Sequence, residues 1–206
     1  MTDYFALLNE PRRPWIDSDS LKARFITLSA TMHPDKVHGA SEPERRLAHE
    51  HYTELNAAYH CLREPKDRLR HLLQLESGRK PTEVHDIPAA AADVFLEVAR
   101  LCRDVESFLA ERAKVTSPLL RVQMFERSQE WTDRLNTLQQ QLRTRCDALM
   151  DELKRMNAHW ERAPDVRATD RAKSLPLDRL EDMYRALSFM TRWAGQIQER
   201  VVQLAQ

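Results

Sequence analysis

The four residues His33-Pro34-Asp35-Lys36 bring together the groups best suited to chemistry at a surface. Proline fixes one backbone dihedral and withholds an N–H, so it holds the two residues beside it at a helix end. Asp35 offers a carboxylate that only accepts hydrogen bonds and suits an arginine, whereas His33 can donate through its ring or carry positive charge. This set can recognise a polar protein surface. It is not an acid–base or nucleophilic centre, because no nucleophile or substrate pocket is readable around Asp35.

The flanking sequence must position the quartet. Leu21, Phe25, Leu28 and Met32 recur at intervals of four, three and four, which predicts an amphipathic helix starting near Asp17 or Ser18 and ended by Pro34. Ser41 and Glu44 have capping-box spacing, with Pro43 tolerated in the first turn, and start a second helix with the stripe Ala48, Tyr52, Leu55, Tyr59 and Leu62. The two helices form an antiparallel hairpin whose tip carries residues 33–40. Tyr4-Phe5-Ala6-Leu7-Leu8, ended by Pro11 and Pro14, makes a brief helix before them, and Leu69, Leu72 and Leu73 make a short one after Pro65.

Helical periodicity is lost between Ser77 and Pro88, where a boundary is expected. Beyond it, Val94, Val98, Leu101, Val105 and Phe108 mark one stripe. A second, long stripe runs from Trp131 through Leu135, Leu138 and Leu142 to Trp160, in a helix opened by Ser117-Pro118. A third runs from Leu180 through Leu187 and Met190 to Leu204. A polar connection from Ala163 to Pro176 separates the last two. Facing one core, the three stripes close a bundle. The short connections favour that closure over a coiled-coil dimer of the long helices. The predicted fold class is all-α, with 1–76 as a first domain, 77–88 as a linker and 89–206 as a three-helix domain.

Composition bounds the function. Lysine plus arginine equals aspartate plus glutamate at 32 each, so no whole-chain cationic field draws nucleic acid or anionic lipid. A mean hydropathy of -0.64 and the lack of a long apolar run argue against a membrane span. Met1-Thr2-Asp3 lacks the positive start of a secretory signal, so a cytoplasmic location is expected. Cys61, Cys102 and Cys146 are isolated and read as helix packing residues, and no histidine or carboxylate spacing suggests a metal. His49 and His51 are two apart and project differently on a helix. The absence of a phosphate-cradling glycine loop argues against an ATPase. No enzymatic activity, cofactor or metal is therefore expected.

The ordered set Tyr4-Phe5, Leu21 to Met32, His33-Pro34-Asp35-Lys36, Leu55-Asn56-Ala57-Ala58-Tyr59, Leu62, Pro65, Arg68-Leu69 and Leu72-Leu73 resembles the J-domain family. Among J proteins the chain is most similar to the iron–sulfur-assembly co-chaperones called HscB or Jac, which pair a J domain with a three-helix C-terminal domain. The segment Val94 to Val105 resembles the first C-terminal helix of that family, and Tyr184 to Met190 the last.

The resemblance implies that His33, Pro34 and Asp35 engage a specialised Hsp70-family ATPase, HscA-like or DnaK-like, and promote its ATP hydrolysis. Lys36, Lys22 and Arg24 would assist against acidic partner surfaces. The C-terminal domain would deliver an IscU-like iron–sulfur cluster scaffold through Phe95, Leu96, Ala99, Arg100 and Phe189. A J-domain co-chaperone for another client, or a helical adaptor outside chaperone chemistry, remains open at this point.

Overall fold

Caps and prolines delimit the helices. The computed structural model describes residues 1–32, 41–81 and 92–206. The elements are α1 (Tyr4–Leu7), α2 (Ser18–Met32), α3 (Glu42–Arg63), α4 (Pro65–Ser77), α5 (Ala92–Arg112), α6 (Pro118–Arg162), α7 (Arg171–Ser174) and α8 (Leu177–Ala205), with no strand among the described residues. Asp3 caps α1 by accepting the N–H groups of Phe5 and Ala6. Asp17 does the same for α2, accepting the Ser20 N–H at 2.9 Å. Before α3, the Glu44 carboxylate accepts both the N–H and the hydroxyl of Ser41, at 2.9 and 2.7 Å. Gly78 ends α4 in the left-handed region, at φ 71°, where a side chain would be strained.

The chain divides into two compact units: Met1–Thr82 with Met150–Tyr184, and Glu83–Leu149 with Arg185–Gln206. The sequence expectation instead placed all of 89–206 in one domain. Helix length gives the physical reason. α6 has 45 residues, roughly 68 Å at the α-helical rise, while α5 has 21 and reaches only about 32 Å. α5 therefore cannot cover the whole apolar stripe of α6, and Leu153, Met156 and Trp160 belong to the first unit.

In the first unit, α2 and α3 pair as a helical hairpin flanked by the short α1 and by α4. Phe5, Leu8, Leu21, Leu55, Leu62, Leu69 and Leu72 are fully buried in it. Phe25 of α2 stacks on Tyr59 of α3 with ring centroids 4.3 Å apart, tying the two arms together. The loop from Asn9 to Asp17 is held by side chains rather than by regular structure. The guanidinium of Arg68 donates to the Pro14 carbonyl at 2.8 Å and to the Leu62 carbonyl at 2.6 Å. Asn157 accepts the Trp15 N–H at 3.0 Å and donates to the Trp15 carbonyl at 2.9 Å. The Lys154 ammonium lies 4.9 Å from the Trp15 ring centroid.

The segment read as a polar connection, 163–176, contains α7, and with it the buried Arg171. Its guanidinium donates to both carboxylate oxygens of the equally buried Glu76, at 2.8 and 3.0 Å. Such a two-pronged pair is favourable only when held in good geometry, because both charges have left water.

The second unit is the three-helix bundle, formed by α5 and parts of α6 and α8. Its core includes Val94, Val98, Val105, Phe108, Leu135, Leu138, Leu142, Trp193 and Ile197. Arg112, at the end of α5, donates to the carbonyls of Gln203 and Leu204 at 2.9 and 2.8 Å. It thereby satisfies carbonyls that the last turn of α8 leaves unpaired.

His71 gives the first unit a pH dependence. Its Nε2 accepts the Tyr4 N–H at 3.1 Å, and its ring stacks on Tyr4 and Phe5. Burial lowers its pKa from the ordinary 6.5, so the folded chain keeps it neutral where the unfolded chain takes up a proton. The resulting stability is fully present above pH 6.5 and is lost as pH falls below it. We expect His71→Gln to melt below the native chain at pH 7.5 and the gap to narrow towards pH 5.5, as read by circular dichroism.

Candidate functional site

His33, Pro34, Asp35 and Lys36 fall in sequence between the end of α2 and the capped start of α3, and these four residues lie outside the described residues. Before that segment, Lys22 and Arg24 are both exposed on α2. They differ in what they do. Arg24 forms a salt bridge at 3.0 Å to Glu10, whose side chain is fully buried, and its guanidinium also donates to the Asn9 carbonyl. Asn9 has φ 54°, a left-handed conformation that asparagine tolerates. Arg24 thus fixes the turn after α1, while Lys22 has no ion-pair partner among the described residues. Helical spacing alone does not separate these two cations, because the partner of Arg24 lies fourteen residues upstream.

The second set of candidate residues lies in the three-helix unit. Leu96 is 66% exposed and Arg100 is also exposed, its guanidinium 3.9 Å from the Asp104 carboxylate. Phe95 and Ala99 are half-buried. Phe189 is buried, only 5% exposed, with its ring centroid 5.5 Å from that of Trp193. Phe95 reaches the same indole at 6.0 Å, so Trp193 brings Phe95 and Phe189 together. Trp193 is not among the client-binding candidates that the sequence resemblance offers. Its signal was present as an aromatic four residues after Phe189, on the same helical face. The Arg192 guanidinium lies 5.5 Å from the Phe189 ring centroid and covers its outer side. The patch therefore has an exposed apolar and cationic edge, Leu96 and Arg100, over an aromatic floor.

The three cysteines are half-buried, and burial raises the pKa of each thiol, that of Cys61 to about 11. They are thus protonated at neutral pH rather than reactive thiolates. Among the described residues, no group of three or more histidine, cysteine, aspartate or glutamate side chains is placed to hold a metal ion. No described helix is long and apolar enough to cross a membrane.

Comparison with known proteins places this architecture. No protein-family model matches the chain. A relative from Colwellia psychrerythraea, described as a co-chaperone protein HscB homolog, is 32% identical over 122 residues, covering 56% of this chain and 70% of the relative. Two solved structures share the fold. Chaperone HscB from Vibrio cholerae has a TM-score of 0.62 at 21% identity, over 98% of this chain and 99% of that one. The human co-chaperone protein HscB has a TM-score of 0.62 at 18% identity, over 97% and 82%. Fold and relatives together define an all-helical J-domain co-chaperone with a C-terminal helical bundle. Within that class, the chain belongs to the HscB co-chaperone family.

Burial separates the two apolar ends of the second patch energetically. Phe189→Ala should lower the free energy of unfolding by about 3–5 kcal/mol in urea titration, as expected for a truncated core aromatic. Leu96→Ala should change it by no more than about 0.5 kcal/mol.

Proposed function

We propose that the chain stimulates ATP hydrolysis by an Hsp70-family ATPase through His33-Pro34-Asp35 and delivers an iron–sulfur cluster scaffold protein to it through the patch around Leu96. The similarity to a co-chaperone across 70% of that relative's length is the observation that carries the reading. Two features of the chain support it. The triplet falls in sequence between α2 and α3, and the Ser41–Glu44 capping box fixes where α3 begins after it. Asp35 can accept two parallel hydrogen bonds from a partner arginine, and Lys36, next in sequence, and the exposed Lys22 of α2 supply positive charge. ATP would bind the partner, and the chain would act by favouring the partner's hydrolysis-competent state.

On the second surface, Leu96 supplies exposed apolar area, and Arg100 with the neighbouring Glu97 supplies orientation. A scaffold docked there would meet the hairpin's Hsp70 as cargo, so each surface can be disabled without the other.

Single-turnover ATP hydrolysis by the Hsp70 of the same organism tests the first half. Asp35→Asn removes the carboxylate at nearly constant volume and should reduce stimulation at least tenfold without changing the melting temperature. Equal stimulation by both proteins contradicts the assignment. For the second half, Leu96→Asp should weaken binding of the purified scaffold at least tenfold and leave basal stimulation intact; unchanged scaffold binding contradicts it.

A further inference from the structure

The three-helix unit carries a second apolar surface, at the far end of α5 from Leu96. Sixteen residues separate Leu96 from Arg112, about 24 Å of helix, so the two surfaces cannot share one small epitope. At this end the start of α6 breaks the usual rule for a solvated helix. Leu119, Leu120, Val122 and Phe125 are 72, 45, 59 and 64% exposed, and Leu119, Val122 and Phe125 follow one another at three-residue intervals. Beside them lies a groove of about 610 Å³, with Val115, Met124, Phe125 and Leu204 among its apolar lining. That volume is in the range of specific ligand sites and takes more than one large side chain.

The charged side chains in the groove lining have one sign. Arg112 and Arg121 line it, and no lining side chain is a carboxylate. Arg112 is committed to Ser128 and to the carbonyls of Gln203 and Leu204, where the negative end of α8 offsets its charge. Arg121 is exposed and has no ion-pair partner among the described residues. The adjacent acid, Glu111, is occupied by Arg127, which donates to both its oxygens at 3.0 and 3.2 Å. An apolar trough with a free guanidinium at its edge complements an apolar segment bearing carboxylates. A symmetric contact between two copies of this chain would instead bring like charges to the same interface.

We propose that the groove docks a short acidic, apolar segment of a partner protein, with a leucine or phenylalanine side chain between Val115, Met124 and Leu204 and a carboxylate on Arg121. The site is separate from the patch around Leu96 and does not depend on it.

Fluorescence anisotropy with a labelled twelve-residue peptide tests this, using leucine and glutamate at helical spacing and a twin with lysine for each glutamate. The acidic peptide should bind the full chain at least tenfold more tightly than its twin. Phe125→Ala should weaken it at least fivefold, and Arg121→Glu should reverse the preference between the twins. Both side chains are exposed, so the melting temperature of each variant should stay that of the native chain. Leu96→Asp should leave the peptide affinity unchanged. Equal binding of the twins, no binding of either, or an affinity indifferent to Arg121 overturns the proposal. So does finding that Phe125 acts only in self-association by sedimentation, or only in binding vesicles of anionic lipid.

Discussion

Arg68 sits almost wholly out of water, and the first unit is organised around satisfying it. Its guanidinium joins the carbonyl of Leu62, in the last turn of α3, to the carbonyl of Pro14 in the loop before α2. The Leu62 carbonyl belongs to the last turn of a helix, where carbonyls lack intrahelical partners, and Pro14 lies where the chain has no ladder to join. One side chain therefore answers two backbone demands and sets where the loop lies against the α3–α4 corner. Burial lowers its pKa to about 10, so it still carries its charge at neutral pH. Leaving either carbonyl buried without a donor costs more than an ordinary hydrogen bond gains, which makes the corner strongly specified.

The hairpin inherits its position from that corner. With the loop fixed, Arg24 reaches back from α2 to Glu10 and Asn9, and Phe25 meets Tyr59 across the arms. Arg12 joins Asp3 at 2.8 Å, and Asp3 in turn caps α1. Polar side chains thus do in this unit what a longer run of regular structure would otherwise do. The bundle works differently: its helices are long, its core is almost entirely apolar, and Arg112 closes a helix end while Arg145–Asp93, Arg127–Glu111 and Arg200–Glu106 pair across its helices. A precise polar frame would suit the proposed engagement of a partner through His33-Pro34-Asp35. A bundle with exposed apolar side chains would suit the proposed docking of a client.

Much of this was legible in the sequence because it depends on local rules. The stripes from Leu21 to Leu28 and from Val94 to Phe108, the caps at Asp17 and Ser41, and the stop at Gly78 are decided within a few residues. The all-helical class followed from them, while the likeness to the HscB co-chaperones rested on the ordered motif set around His33-Pro34-Asp35-Lys36. What was not legible depends on partners far along the chain. Asn157 pairs with Trp15 across 142 positions and Arg171 with Glu76 across 95, and together they explain why 150–184 group with the N-terminal segment. Arg24 and Lys22 look alike until Glu10 is placed. Phe189 and Leu96 look alike until Trp193 is placed, after which one is floor and the other rim.

On the function proposed, the α2–α3 hairpin, rather than the bundle, engages the ATPase. Nuclear magnetic resonance of the isotope-labelled chain with ATP-bound Hsp70 tests it most directly. The account predicts that backbone resonances shift in the second half of α2, in residues 33–41 and in the first turns of α3, with those of α5 and α8 unmoved. Shifts confined to α5 and α8, with residues 33–36 unchanged at saturating partner, would contradict it.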